Sequence, residues 1–147
     1  MSATASDRSA NIDRLHAHAN RAPLGFPQPV PRLGVVVLTC MDARIDTFDV
    51  LGLGPGDAHI IRNAGGMVTD DVVESIAISQ HMVGTTEVMV IHHTNCLAHA
   101  DRAPGYRPEQ TAKWVVETLR ADPRLAHRDH IRGFVLDVVG GKGLVEV

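Results

Sequence analysis

Aromatic residues are scarce in this sequence: one Trp, one Tyr and three Phe make up 3% of its 147 residues. So few aromatic side chains are poorly suited to lining a large ligand pocket of the kind that holds a nucleotide or a peptide. The chain also lacks the glycine-rich phosphate loops G-x-G-x-x-G and G-x-x-x-x-G-K. These absences favour a small, dry cavity and a small neutral substrate.

Blocks of one charge and long apolar runs are missing as well. The net charge is −3 and no basic cluster occurs, which argues against general binding to nucleic acid or to anionic membranes. No apolar run approaches the roughly 20 residues that a membrane-spanning helix requires, and residues 1–8 lack the apolar centre of a signal peptide. We therefore expect a cytoplasmic protein whose partners include neither nucleic acid nor a membrane.

Cysteine is rare too, with two residues in the chain. Disulfides are uncommon in the reducing cytosol, so a bridge between the two is not expected. Either cysteine alone would be interpreted as an inert buried thiol, and that alternative stays open. Their positions favour another role, because Cys40 and Cys96 both follow shortly after apolar runs that are typical of buried strands.

The apolar pattern predicts an α/β fold. Residues 33–38 carry no charge, which is typical of a strand buried on both faces of a parallel sheet. Three further strands are predicted at residues 58–62, 87–91 and 131–139, and helices at residues 46–51, 69–83 and 109–119. This alternation predicts a mainly parallel central β-sheet flanked by helices.

The chain is expected to form a single domain over residues 1–147, with an N-terminal helical arm and linker at 1–31 and an α/β core at 32–147. Residues 9–19 could form the helix of the arm, although their apolar content is too thin for an isolated helix. Such a helix is expected to lie on another surface, for example that of a partner subunit. Four prolines in residues 21–31 indicate an extended linker.

Two local predictions concern the second half of the chain. Residues 97–108 contain Gly105 and two prolines and are expected to be irregular. The helix at residues 109–119 is expected to pack on the sheet through an apolar face. That face would comprise Trp114, Val115, Val116 and Leu119.

Three side chains suited to a metal follow two of the predicted strands. Cys40 comes after the first strand, and His93 and Cys96 come after the third with H-x-x-C spacing. The carboxyl ends of strands are where open α/β sheets bind their ligands. Two thiolates and one imidazole leave the fourth tetrahedral position of zinc open, which is the catalytic arrangement. His92 precedes His93 on a strand and should face the other way.

Two charged residues and two glycines lie close to this set in the sequence. The carboxylate of Asp42 could accept a hydrogen bond from a zinc-bound hydroxide and orient it, while Arg44 could hold Asp42 through a bidentate pair. Without that pair Asp42 could itself occupy the fourth zinc position, and the alternative for both residues is an ion pair at a helix start. Gly65 and Gly66 allow close backbone approach and are candidate substrate-binding residues. A plain strand-to-helix turn is the alternative for them.

Three short motifs in this order resemble the β-class carbonic anhydrases. They are residues 40–44 (Cys-Met-Asp-Ala-Arg), residues 62–66 (Arg-Asn-Ala-Gly-Gly) and residues 92–96 (His-His-Thr-Asn-Cys). The Asp-Ala-Arg sequence in the first motif is similar to the small branch of that family. The resemblance spans residues 33–96 and resumes weakly at residues 132–138.

The resemblance implies that zinc is bound by Cys40, His93 and Cys96 and that Asp42 and Arg44 form a catalytic dyad. It implies reversible hydration of carbon dioxide to bicarbonate and a proton, by attack of a zinc-bound hydroxide that the dyad orients. It also implies a homodimer or homotetramer with the site near the subunit interface.

The chain departs from the family pattern after the last cysteine of the set. Leu97 stands where many members have glycine, and residues 97–113 form a short segment for this family. Hydrolases of carbonyl sulfide or carbon disulfide resemble the same scaffold and are the alternative enzymes. A zinc-binding module without catalysis is the alternative from another class, and it would have no use for Asp42 and Arg44.

Overall fold

The structure is a computed structural model of the chain that describes residues 5–100 and 105–147. In these ranges no helix is long and apolar enough to cross a bilayer. The helices are α1 (Ala5–Ala19), α2 (Thr47–Leu51), α3 (Asp70–Val83), α4 (Leu97–Ala100) and α5 (Pro108–Ala121). The strands are β1 (Val35–Cys40), β2 (Ala58–Asn63), β3 (Glu87–His93), β4 (Ile131–Leu136) and β5 (Leu144–Glu146).

A single mixed sheet with strand order β2-β1-β3-β4-β5 forms the centre of the core. The first four strands run parallel, and β5 pairs antiparallel with β4. The predicted mainly parallel sheet flanked by helices is therefore confirmed. In the register, Thr39 of β1 lies beside Ile91 of β3, so these two strands end at the same edge of the sheet.

Both faces of the sheet are covered, as the uncharged run of β1 predicted. Val36 and Leu38 pack on one side against apolar residues of α3 and α5, among them Ile76 and Val115. Val37 lies in the apolar cluster on the opposite side. That second cluster also contains Cys40 and Cys96, so both candidate cysteine ligands belong to the apolar core.

Helix limits follow local capping signals. The carboxylate of Asp46 accepts the N–H of Asp49 at the start of α2, and the hydroxyl of Thr69 accepts the N–H of Val72 at the start of α3. Each helix ends at a glycine with positive φ, and Gly84 stops α3 at 76°. Both helices end at the predicted residue and begin one residue after the predicted start, which is the N-cap in each case.

Several local predictions were wrong. Trp114 is 51% exposed rather than packed, whereas its predicted neighbours on α5 are buried. On a helix Trp114 lies about 160° around the axis from the buried Val116, on the opposite side. Strand β4 ends at Leu136, since Asp137 begins a turn in which its carboxylate accepts the N–H groups of Val139 and Gly140. The antiparallel strand β5 after this turn was not predicted.

The segment predicted to be irregular, residues 97–108, contains the short helix α4. Residues 101–104 of that segment lie outside the described ranges. Strand β3 also extends two residues further than predicted and ends at His93. This extension places His93 on the sheet itself, where its orientation is fixed by the strand.

The N-terminal arm is helical, and α1 begins before residue 9, where the helix was predicted to start. Ile12 and Leu15 on this helix are exposed, as is Phe26 in the linker that follows. The association of the arm with a partner subunit, the division into arm and core, and the cytoplasmic location stay predictions.

Candidate metal centre

The three predicted metal ligands converge at the carboxyl edge of the sheet. One ligand atom from each of Cys40, His93 and Cys96 lies within 4.8 Å of the others, and the two sulfur atoms are 3.9 Å apart. All three side chains are buried, and both cysteines are free thiols. The convergence follows from the sheet order, because β1 and β3 are parallel neighbours that end side by side.

The imidazole of His93 has one nitrogen satisfied and one free. Its Nδ1 lies 2.7 Å from the carbonyl oxygen of Thr94, and since a carbonyl only accepts, Nδ1 carries the proton. The buried Nε2 finds no hydrogen-bond partner among the described residues. Burial, the largest effect, lowers the pKa of His93, so the neutral ring keeps a lone pair on Nε2 for a metal.

Burial also shifts the pKa of the Cys96 thiol. It raises the pKa of Cys96, and the neighbouring sulfur of Cys40 adds to that rise, while the N–H groups of His99 and Ala98 oppose it. A metal ion must therefore displace a proton from this thiol, as is usual for thiolate ligands.

The residues present fit a zinc ion. Two sulfurs and one imidazole nitrogen are a donor set that zinc accepts in tetrahedral geometry. The unpartnered Nε2 of His93 is a buried polar atom whose lone pair a metal would satisfy. The sulfur of Cys40 also accepts the N–H of Gly65 at 3.3 Å, a contact that suits a thiolate.

A bidentate ion pair borders the candidate ligands. Arg44 donates from Nε to Oδ1 of Asp42 at 3.0 Å and from Nη2 to Oδ2 at 2.7 Å, and its backbone N–H also bonds Oδ1 at 2.9 Å. Arg44 holds the pKa of the Asp42 carboxyl well below its usual range, chiefly through these side-chain hydrogen bonds, although burial opposes the shift. Oδ2 of Asp42 lies 3.8 Å from Nε2 of His93, so the carboxylate faces the candidate metal position.

Asn95 is a site residue that the sequence reasoning missed. Its side-chain oxygen accepts from Nη1 of Arg44 at 3.0 Å, and its carbonyl accepts from Nη2 at 2.8 Å. Its φ of 53° is in the left-handed region, which asparagine tolerates better than most residues. An asparagine inside the H-x-x-C turn was the signal that could have revealed it.

Arg62, which belongs to the second motif, fixes the loop that carries the ion pair. Its guanidinium donates to the carbonyl oxygens of Cys40, Asp42 and Ile45 at 2.8, 2.8 and 3.0 Å. Three backbone acceptors on one rigid cation hold the β1–α2 connection to strand β2. The second motif thus supports the first by direct contact.

Gly65 and Gly66 form the turn after β2, with φ values of 87° and 61°. Both are buried, and a Cβ on Gly66 would lie 3.1 Å from the backbone carbon of Thr39. Their role in binding substrate stays a prediction. The contact that the structure gives to Gly65 is with the sulfur of Cys40.

The cavity beside the ion pair has a volume of about 680 Å³. It is lined by Cys40, Met41, Asp42, Ala43, Arg44, Ala64, Asn95, Leu97 and Ala98. Met41 and Leu97 at this cavity are 64% and 78% exposed. The sequence predicted a small, dry cavity, whereas in the single chain the cavity is wide and its apolar rim at Met41 and Leu97 is exposed.

His92 points away from the ligand set, as the strand alternation predicted. Its Nε2 lies 2.9 Å from the carbonyl oxygen of Gly66, and its Nδ1 lies 3.2 Å from the hydroxyl of Tyr106. Tyr106 also stacks on the ring of His99, a buried residue to which the sequence reasoning gave no role. A second layer of polar groups therefore lies behind the candidate metal position.

Comparisons with known proteins agree with this arrangement. A family model described as carbonic anhydrase matches residues 35–132. Beta-carbonic anhydrase 1 of Mycobacterium tuberculosis is 37% identical over 152 residues, which cover 90% of each chain. A crystal structure of carbonic anhydrase from Streptococcus mutans superposes with a TM-score of 0.78 at 30% identity, covering 100% of this chain and 99% of that one.

The chain belongs to the β-class carbonic anhydrase family. A carbon disulfide hydrolase of Acidianus sp. is also similar, with 42% identity over 87 residues that cover 59% of this chain and 41% of the hydrolase. The family scaffold therefore includes relatives named for two different substrates.

Proposed function

We propose that this protein is a zinc-dependent carbonate dehydratase, which converts carbon dioxide and water to bicarbonate and a proton. The proposal rests on one observation. In the buried set of Cys40, His93 and Cys96, Nε2 of His93 has no hydrogen-bond partner among the described residues and lies 3.8 Å from the carboxylate that Arg44 holds.

Cys40, His93 and Cys96 would hold the zinc ion. Bound zinc supplies a Lewis acid that lets water ionise near neutral pH, a property for which carbonic anhydrases are themselves the standard example. Three protein ligands would leave zinc able to bind that water as well.

Asp42 has the geometry of a hydrogen-bond acceptor for the attacking water. Its pKa is lowered mainly by Arg44, so it remains an anion at neutral pH and does not itself carry the proton. Because Oδ1 and Oδ2 each accept from Arg44, the plane of the carboxylate is fixed. The same pair of bonds would keep Asp42 from becoming a further ligand of a bound zinc ion.

The apolar part of the cavity wall suits a small neutral molecule better than an ion. Methyl groups of Ala43, Ala64 and Ala98 line it beside Met41 and Leu97. Carbon dioxide needs few hydrogen bonds to enter such a site.

A hydrolase of carbon disulfide or carbonyl sulfide is the second candidate. The 42% identity over 87 residues with a carbon disulfide hydrolase supports it. Met41 and Leu97 on the exposed rim of the cavity would also suit a larger, apolar linear molecule. The ligand set and the ion pair would serve either reaction, so these residues do not separate the two candidates.

The rates with carbon dioxide and carbonyl sulfide on the same zinc-loaded protein test the proposal. We expect rapid carbon dioxide hydration by stopped flow and a much lower rate with carbonyl sulfide. A faster reaction with carbonyl sulfide would favour the hydrolase. No catalysed reaction with either gas would instead favour a zinc-binding module without catalysis.

We further propose that the functional unit is a homodimer or homotetramer. The apolar side chains of Ile12 and Leu15 on α1 and of Met41 and Leu97 at the cavity rim are exposed in the single chain. A partner subunit would remove these surfaces from water, which is the usual driving force of association.

Sedimentation of the active protein is expected to show a species well above the monomer mass of 15.8 kDa. The double variant Ile12→Asp, Leu15→Asp should lower the assembled fraction, because both apolar side chains lie on one face of α1. Arg14→Ala on another face of α1 is the matched control and should assemble normally. A single species near 15.8 kDa with full activity would contradict the proposal.

A further inference from the structure

A second layer of side chains lies behind Cys40, on the far side of the turn that contains Gly65 and Gly66. We propose that His99, supported by Tyr106, is a positioning residue that holds the N–H of Gly65 on the sulfur of Cys40 and so strengthens metal binding. The inference rests on the proposed zinc site, and it concerns residues outside the ligand set and the ion pair.

The ring of His99 is held in one orientation. Its Nε2 lies 3.2 Å from the carbonyl oxygen of Gly65, and since that oxygen only accepts, Nε2 must carry the proton. The ring stacks on Tyr106 with centroids 4.1 Å apart and planes 5° from parallel. His99 is 6% exposed, so water competes little for this hydrogen bond.

Gly65 transmits this contact to the metal site. Its carbonyl accepts from His99 while its own N–H donates to the sulfur of Cys40 at 3.3 Å. A Cβ on Gly65 would lie 2.5 Å from Nε2 of His99, so the imidazole sits directly over the turn. Gly65 therefore cannot move away from His99 or from Cys40 without breaking one of these two hydrogen bonds.

Gly66, the next residue of the turn, is also held by a hydrogen bond to its carbonyl oxygen. The carbonyl of Gly66 accepts from Nε2 of His92 at 2.9 Å, and Nδ1 of His92 accepts from the hydroxyl of Tyr106 at 3.2 Å. On the opposite side, a Cβ on Gly66 would lie 3.2 Å from the backbone nitrogen of Cys40. The turn therefore lies between the end of β1 and the imidazole rings of His92 and His99.

His99 is also linked to both cysteine residues, to Cys96 through the backbone and to Cys40 through Gly65. Its backbone N–H lies 3.3 Å from the carbonyl oxygen of Cys96, and its side chain reaches the turn that contacts Cys40. An N–H donor to a thiolate stabilises the charged form that binds metal. Loss of such outer partners typically lowers metal affinity by about 10- to 100-fold.

Competition with a chelator on the full-length protein tests the role of His99. His99→Phe keeps a ring to stack on Tyr106 but has no donor, so we expect roughly 10-fold or greater loss of zinc affinity. His99→Gln should restore most of the affinity, because its terminal amide can donate near the position of Nε2. His81→Phe, an exposed histidine in the last turn of α3, is the control and should bind zinc like the parent.

Cobalt substitution supplies a readout that a general loss of stability would not produce. A thiolate that loses an N–H donor is more easily oxidised, so its sulfur-to-cobalt charge-transfer band should move to longer wavelength in His99→Phe. The band should stay at the parent position in His99→Gln and His81→Phe. Parent affinity together with a parent spectrum in His99→Phe would overturn the inference.

A measurement on the parent protein covers the case in which His99→Phe does not fold. In protein loaded with ¹¹³Cd, we expect a scalar coupling between the metal and the amide proton of Gly65, transmitted through the sulfur of Cys40. Nitrogen-15 spectra should show the proton of His99 on Nε2. Absence of the coupling and a proton on Nδ1 would overturn the inference. If the affinity pattern holds but carbon dioxide is not hydrated, the proposed function fails and the positioning role stands.

Discussion

Replacing Cys96 with serine is expected to remove stoichiometric zinc and, with it, measurable carbon dioxide hydration. The parent should carry a single zinc ion per chain, held by Cys40, His93 and Cys96. Serine keeps the size of the side chain but its hydroxyl does not ionise at neutral pH, so the set loses one of its two anionic donors. The buried Nε2 of His93 would then share a metal with only one thiolate.

Metal analysis of purified Cys96→Ser after zinc loading and desalting is the measurement. His92→Ala is the matched control, because His92 bonds the carbonyl of Gly66 and not the ligand set. At saturating zinc that control should keep its full complement of metal. Full zinc occupancy in Cys96→Ser would remove Cys96 from the ligand set.

The sequence predicted the position of the ligands because local rules govern it. An uncharged run that ends shortly before Cys40, and a second run that ends before H-x-x-C, are enough to place both motifs at strand ends. The parallel pairing of β1 with β3 then brings Cys40 beside Cys96. The caps of α2 and α3 were predictable for the same reason, since each cap is a contact between close neighbours in the chain.

The parts that the sequence did not predict depend on contacts between distant residues. His99 contacts Gly65 across 34 positions, and Asn95 contacts Arg44 across 51 positions. No local pattern marks either pair, and His99 lies in a segment that had been expected to be irregular. The prediction that Trp114 packs on the sheet was wrong for a different reason. Its hydrophobicity favours burial, but its angular position on α5 places it on the exposed side.

The ion pair beside the metal position should control the rate without holding the metal. Arg44→Ala is expected to keep its zinc and lose most of its activity, because Asp42 would no longer be held by Nε and Nη2. The freed carboxylate could then enter the open ligand position. Asp42→Ala should also keep zinc, with a rate loss of roughly 10- to 100-fold, the usual effect of removing an outer partner.

Two controls separate this role from an ordinary ion pair. Arg44→Lys keeps the charge but not the fork of donors that contacts both carboxylate oxygens, so we expect it to restore little activity. Arg32→Ala removes an exposed arginine that pairs with Asp57 at 2.9 Å away from the site, and it should hydrate carbon dioxide like the parent.

The pH profile of the same variants completes the test. Activity of the parent is expected to rise from below neutral toward alkaline pH, because ionised water is needed for attack. Asp42 is not the group that titrates there: Arg44 lowers its pKa, and in Arg44→Ala the pKa would return upward toward its ordinary acidic value of 3.8. The carboxylate therefore stays ionised in both proteins over about pH 6 to 9, a window around the expected ionisation of water on zinc. Parent rates in both Arg44→Ala and Asp42→Ala across this window would show that the two residues are an ordinary ion pair at a helix start.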